Sequence, residues 1–69
     1  MPSWIRQALV DAGLMEKYRS RPPYQRNDYL GWIIRPKLES TRQRHLAQML
    51  QELESGDTYM NMPWGGDEE

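Results

Sequence analysis

The apolar residues of the N-terminal segment fall on one helical face. From Pro2 to Ala12, Trp4, Ile5, Ala8, Leu9 and Ala12 keep a 3.6-residue period. Pro2 or Ser3 is suited to open this helix, and Gly13 to close it in the left-handed conformation. Leu14, Met15 and Tyr18 add one or two turns before Pro22-Pro23, because residues that precede proline avoid the α region. The prolines then start a second main helix, from about Pro23 to Ile34. Tyr29, Leu30 and Ile33 form its apolar centre, and Trp32 and Ile34 widen the arc on either side. Asn27, Asp28, Gly31 and Arg35 share the remaining face. So wide an arc predicts a central helix covered on two sides. Pro36 ends it.

The third helix is the clearest. Ser40-Thr41-Arg42-Gln43 fits a capping box, and Leu46, Met49, Leu50 and Leu53 follow at i, i+3, i+4 and i+7. Gly56 falls where a helix takes its left-handed terminating residue. No segment alternates cleanly enough for a strand, and β-branched residues are scarce. The expected fold class is all-α: a small compact bundle of three main helices plus a short extra turn. It occupies residues 1–56 as a single domain. Tyr29, Trp32, Ile33, Leu46, Met49, Leu50 and Leu53 are its expected core, joined by Trp4 from the first stripe. Residues 57–69 read as a C-terminal tail. Either residues 59–64 fold back over the helices or Trp64 stays exposed as an anchor, and the residues after Gly65 are expected to be disordered.

Composition narrows the range of functions. A chain of 69 residues and 8.2 kDa is one small domain, too small for a deep substrate cavity, a Rossmann unit or a barrel. Mean hydropathy is −0.95, and no apolar run approaches the ~20 residues of a membrane span. The absence of cysteine removes disulfides, thiolate metal sites and a thiol nucleophile. The first residues lack the apolar core of a secretory signal, so the chain reads as cytoplasmic. The net charge of −1 hides a segregation. Residues 17–45 carry eight bases and two acids, whereas residues 46–69 carry six acids and no base.

Catalytic chemistry finds little to work with. His45 is the only histidine, which excludes a histidine pair on a metal and reads as a boundary residue, part-packed and part-solvated. The five glycines form no phosphate loop, and the C-terminal acids lack the spacing of a calcium loop. No enzyme activity, cofactor or metal is expected. Arg42 lies near the buried stripe of the third helix. It must either run its stem along apolar surface and emerge, where it could face a ligand, or pair with a carboxylate, with Asp28 and Glu39 as candidates. The expected pair is Arg42 with Asp28, a pin between helices. The run from Lys17 to Arg26 holds four bases, two tyrosines and no acid. Such a run is a solvated linker face, a protein-binding surface or a nucleic-acid surface. The candidate contact residues are Arg19, Arg21, Tyr24, Arg26 and Arg44.

The run Arg21-Pro-Pro-Tyr-Gln-Arg-Asn-Asp-Tyr29-Leu-Gly-Trp32-Ile33, followed by Lys37 and Thr41-Arg42-Gln43-Arg44, resembles the bacteriocin-protection (YdeI/OmpD-associated) family over about residues 17–56. Family members typically have Ala-Lys-Arg-Pro-Glu-Thr-Arg where this chain has Pro36-Lys37-Leu38-Glu39-Ser40-Thr41-Arg42. The family's proline at the place of Glu39 implies a third helix that begins a residue or two before Ser40. Some relatives are linked to resistance against cationic antimicrobial peptides and to an outer-membrane porin, and some are regarded as periplasmic. The resemblance brings no catalytic set. It implies a helical interaction module with a protein partner, in envelope stress or antimicrobial peptide resistance. A nucleic-acid-binding module using residues 17–45 and a self-associating domain are the alternatives.

Overall fold

The computed structural model of the chain describes residues 1–63. Four helices follow one another, α1 (Ser3–Asp11), α2 (Met15–Ser20), α3 (Pro23–Ile34) and α4 (Glu39–Ser55). A small antiparallel hairpin, β1 (Thr58–Tyr59) and β2 (Met62–Pro63), comes after them. The chain is mostly helical, as expected; the extra turn is a helix of six residues, and a two-stranded hairpin adds to the helices. Strand periodicity is invisible over two residues. The expected disordered end after Gly65, and both placements of Trp64, lie outside the described residues.

The helix ends explain the path of the chain. Gly13 adopts φ +70°, Leu14 N–H bonds the Leu9 carbonyl at 2.9 Å, and Gly13 N–H bonds Val10 at 3.0 Å. These two bonds make a Schellman motif, and its usual apolar contact is supplied by Leu9 and Leu14, both buried. The motif turns α2 back onto α1. Pro22 and Pro23 then open α3, where a missing N–H costs nothing. Gly56 ends α4 at φ +82°. The core runs through every helix: Ile5, Leu9, Leu14, Tyr18, Tyr29, Ile33, Leu46, Met49 and Leu53 are buried. Trp32 and Leu50 pack at its margin. Trp4 does not join it, being 36% exposed, because Ile5 and Leu9 occupy the centre of the α1 stripe.

Two expectations about the start of α4 need correction. Leu38, not Ser40, is the N-cap residue, and no side chain caps the helix. Gln43 instead donates to Glu39 Oε2 at 2.7 Å, so the capping box does not form. Arg42 does not pair with Asp28. Its Nε donates to the Pro36 carbonyl at 2.6 Å, and its guanidinium lies 3.9 Å from Glu39. Asp28 accepts instead from the Tyr59 hydroxyl. The reason is geometric: α3 and α4 run antiparallel, so Arg42 faces the turn after α3 while Asp28 lies two turns away toward its start. Arg42→Ala should lower stability by about 1 kcal/mol, since it removes one charge-assisted bond to a loop carbonyl. A urea melt measures it.

His45 completes the same turn. Pro36 has no N–H to give to the carbonyl of Trp32 four residues earlier, and His45 Nδ1–H donates to that carbonyl at 3.0 Å. The two rings stack at 3.9 Å with planes 10° apart. The histidine therefore has a structural partner on both its face and its edge.

Candidate functional site

Glu52, in the last third of α4, is a densely hydrogen-bonded polar group. It is 4% exposed, and its carboxylate takes four donors. Tyr29 O–H and Met60 N–H reach Oε1, at 2.5 and 2.8 Å, while Asn61 N–H and Gln48 Nε2 reach Oε2 at 2.8 and 3.0 Å. Met60 and Asn61 both have positive φ, +52° and +64°. Two successive left-handed residues aim their N–H groups the same way and form a small anion-binding nest, which Glu52 fills. The carboxylate thus ties the hairpin to α4.

Burial alone would raise the Glu52 carboxyl, but the bonds from Tyr29, Asn61, Met60 and Gln48 outweigh it and hold its pKa below the ordinary value. The same contact works in reverse on Tyr29, whose phenol is pushed well up by burial and by the neighbouring carboxylate. Burial and Asp28 raise Tyr59 to about 12. Burial also raises Tyr18, against a smaller opposing effect of Arg26. The signs fix the pH profile. A depressed carboxyl stabilises above its unfolded value, about 4.3, and loses that contribution as pH falls through the folded value. Raised phenols stabilise below about pH 10 and lose the effect as pH rises through their folded values. Thermal melts should show a plateau across neutral pH with falls on both sides, and Glu52→Gln should flatten the acid side.

The backbone of Glu52 matters equally. Its carbonyl accepts Gly56 N–H at 2.9 Å, Ser55 Oγ at 3.1 Å and Arg21 Nη2 at 3.1 Å. Arg21 also donates to Gln25 Oε1 at 3.1 Å, and Lys17 Nζ reaches the Glu54 carbonyl at 3.3 Å. One base from α2, Lys17, and one from its C-cap, Arg21, thus sit on the C-terminal carbonyls of α4, the negative end of its dipole. Arg21, expected as a contact residue, is 4% exposed and part of the fold.

The other candidates scatter. Arg19 is exposed and lies 3.9 Å from Glu16. Arg26 is half-buried, its Nε enclosed and without a hydrogen-bond partner. Arg44 is exposed near the opposite end of α4, about 12 Å along the axis from Glu52. These residues do not form one patch. Tyr24 is the exception among the candidates: it is 57% exposed and its ring meets Tyr59 edge-on at 6.0 Å. Tyr59 in turn meets Tyr29 edge-on at 5.5 Å and bonds Asp28. Met62, exposed, is the cross-strand partner of Tyr59. The result is an aromatic surface where α3 meets the hairpin. Sequence reasoning missed Glu52 and Gln25, both buried; on the helical wheel Glu52 falls beside His45, off the apolar stripe.

An open depression of about 230 Å3 lies beside the carboxylate, lined by Gln48, Gln51, Glu52, Ser55, Thr58 and Asn61. Its lining is amide and hydroxyl, and the one carboxylate is already saturated with donors. Among the described residues no cluster of His, Asp or Glu is placed to hold a metal ion, and no helix is long and apolar enough to cross a membrane.

No curated protein and no solved structure matches the chain. The model of the bacteriocin-protection, YdeI or OmpD-associated family (OmdA) matches residues 1–56, about four fifths of the length. The match takes in α1 as well as the region from residue 17 on which the resemblance was read, and it stops just before the hairpin. Helices α1 to α4 fall within the match, and the chain belongs to the bacteriocin-protection, YdeI or OmpD-associated family.

Proposed function

We propose that this chain is a non-enzymatic interaction module. It binds a protein partner through the aromatic surface of Tyr24, Tyr59 and Met62, in envelope stress or antimicrobial peptide resistance as the family resemblance implies. One observation supports the reading: Tyr24 is mostly in solvent, yet its ring is held by Tyr59 and its hydroxyl accepts from Gln25 Nε2 at 3.2 Å. A large amphipathic ring fixed before binding loses little entropy on contact, which is what interface anchors need. The saturated state of Glu52 favours this reading over hydrolysis, because a general base needs a free lone pair.

The protein reading is favoured over nucleic acid by the fate of the bases. Lys17, Arg21 and Arg42 are turned onto backbone carbonyls, which withdraws them from phosphate contact. Self-association through the acidic tail would involve residues outside the described ones. The test is capture from the native cell by the tagged chain. Tyr24→Ala should lower stability by no more than about 1 kcal/mol, the value of an edge-on aromatic contact. It should nevertheless abolish capture of the partner. Equal capture by a folded Tyr24→Ala variant would refute the surface.

A further inference from the structure

The family match ends at residue 56, and the hairpin that follows sits on the matched helices as a peptide would. The groups that receive the hairpin lie on α3 and α4: Tyr24, Asp28, Tyr29, Glu52 and Ser55. What they receive has a simple chemical description. Glu52 takes the two consecutive backbone N–H groups of Met60 and Asn61, one on each oxygen, both at 2.8 Å. Asp28 takes the hydroxyl of the preceding tyrosine, whose ring lies edge-on to Tyr24 and Tyr29. Without the hairpin, a buried carboxylate would lose half of its donors.

We infer that this face of α3 and α4 is a receptor for a tight peptide turn, occupied here by the chain's own residues 58–63. The partner it fits is a hairpin with tyrosine immediately before two residues of positive φ. This inference rests on the reading of the chain as an interaction module and names the class of partner: the partner's turn takes the place of Tyr59 and Met62, and Tyr24 stays with the receiving face. The specificity follows from the contacts. Tyrosine is read by its ring and its hydroxyl, whereas the next two residues are read through the backbone. At those two positions the site selects conformation, which favours Asn, Asp and Gly. The cis hairpin is tethered only through residues 56 and 57 and competes at high effective concentration.

The experiment uses the full chain with its own hairpin weakened. Tyr59→Ala removes the read side chain, and Met60→Pro forbids positive φ, while residues 1–56 stay unchanged. The probe is a cyclic peptide presenting residues 58–63, titrated into each 15N-labelled protein. Both variants should bind it saturably, with shifts at the Gln48 side chain and at the Glu52 and Tyr29 amides. The unaltered chain should bind it at least about tenfold more weakly, because its own turn competes. A probe with alanine for tyrosine should lose binding. No shift in a folded variant, or equal binding by the unaltered chain, would overturn the inference. So would loss of helical circular dichroism in both variants, since the hairpin would then be an integral part of the core. If the probe fails while Tyr24 still governs capture from the cell, the interaction module stands and the turn receptor falls.

Discussion

Glu52→Gln should lower the unfolding free energy by about 3 kcal/mol, from a total of about 3–10 kcal/mol expected for a chain this size. The melting temperature should fall by about 15 °C. The substitution keeps the shape of the side chain and removes its ability to accept everywhere. If the new carbonyl takes the place of Oε1, it keeps Tyr29 and Met60 N–H, and the new amide then faces Asn61 N–H. If the amide is turned round, Met60 N–H faces a donor instead. Tyr29 and Gln48 can reorient, but a backbone N–H cannot. Either way one donor of the nest is left without an acceptor, and Tyr29 and Gln48 lose the charge they bond. Tyr29→Phe should cost less, about 1–1.5 kcal/mol, because it removes one donor and leaves three. An effect of Glu52→Gln below that of Tyr29→Phe would mean that the nest is not held by the carboxylate.

Much of the helical framework can be read from the sequence because its signals are local. Gly13, the Pro22-Pro23 pair, Pro36 and Gly56 each set a helix end through the conformation of a single residue. The stripes of Tyr29 with Ile33, and of Leu46, Met49 and Leu53, carry the period that buries them. What stayed hidden depends on contacts between distant segments. The hairpin has two residues per strand, and its turn is Met60-Asn61, where only the asparagine hints at positive φ. Glu52 reads as a surface acid on any helical wheel until Tyr29 and the hairpin close over it. Nothing at position 42 tells a carboxylate partner from a loop carbonyl. The charge pattern along the chain misleads for the same reason: glutamates near the C-terminus of α4 seem to oppose its dipole. Lys17 and Arg21, more than thirty residues earlier, supply the cations that the carbonyls there require.

Arg21→Ala should be nearly as damaging, lowering stability by about 2–3 kcal/mol, while Arg19→Ala two residues earlier should change it by less than about 0.5 kcal/mol. The contrast follows from what each cation faces. Arg19 points into solvent beside a glutamate that is itself exposed, and screening leaves such a pair with little net energy. Arg21 spans the gap between α2 and α4, bonding the Gln25 side chain and the Glu52 carbonyl at 3.1 Å each. Gln25 is fully buried, so removal of the guanidinium strands its amide oxygen away from water as well as deleting the packed stem. Arg21→Lys should recover part of the loss: one ammonium restores the charge near the α4 C-terminus but lacks the planar fork that spans both acceptors. Parallel urea melts of the three variants read these differences directly. They also decide how binding is tested, because a triple alanine variant at Arg19, Arg21 and Arg26 would lose partners through loss of the fold. Substitution of Arg19 and Tyr24 leaves the α2–α4 joint in place, so a partner lost from that variant is lost at the surface.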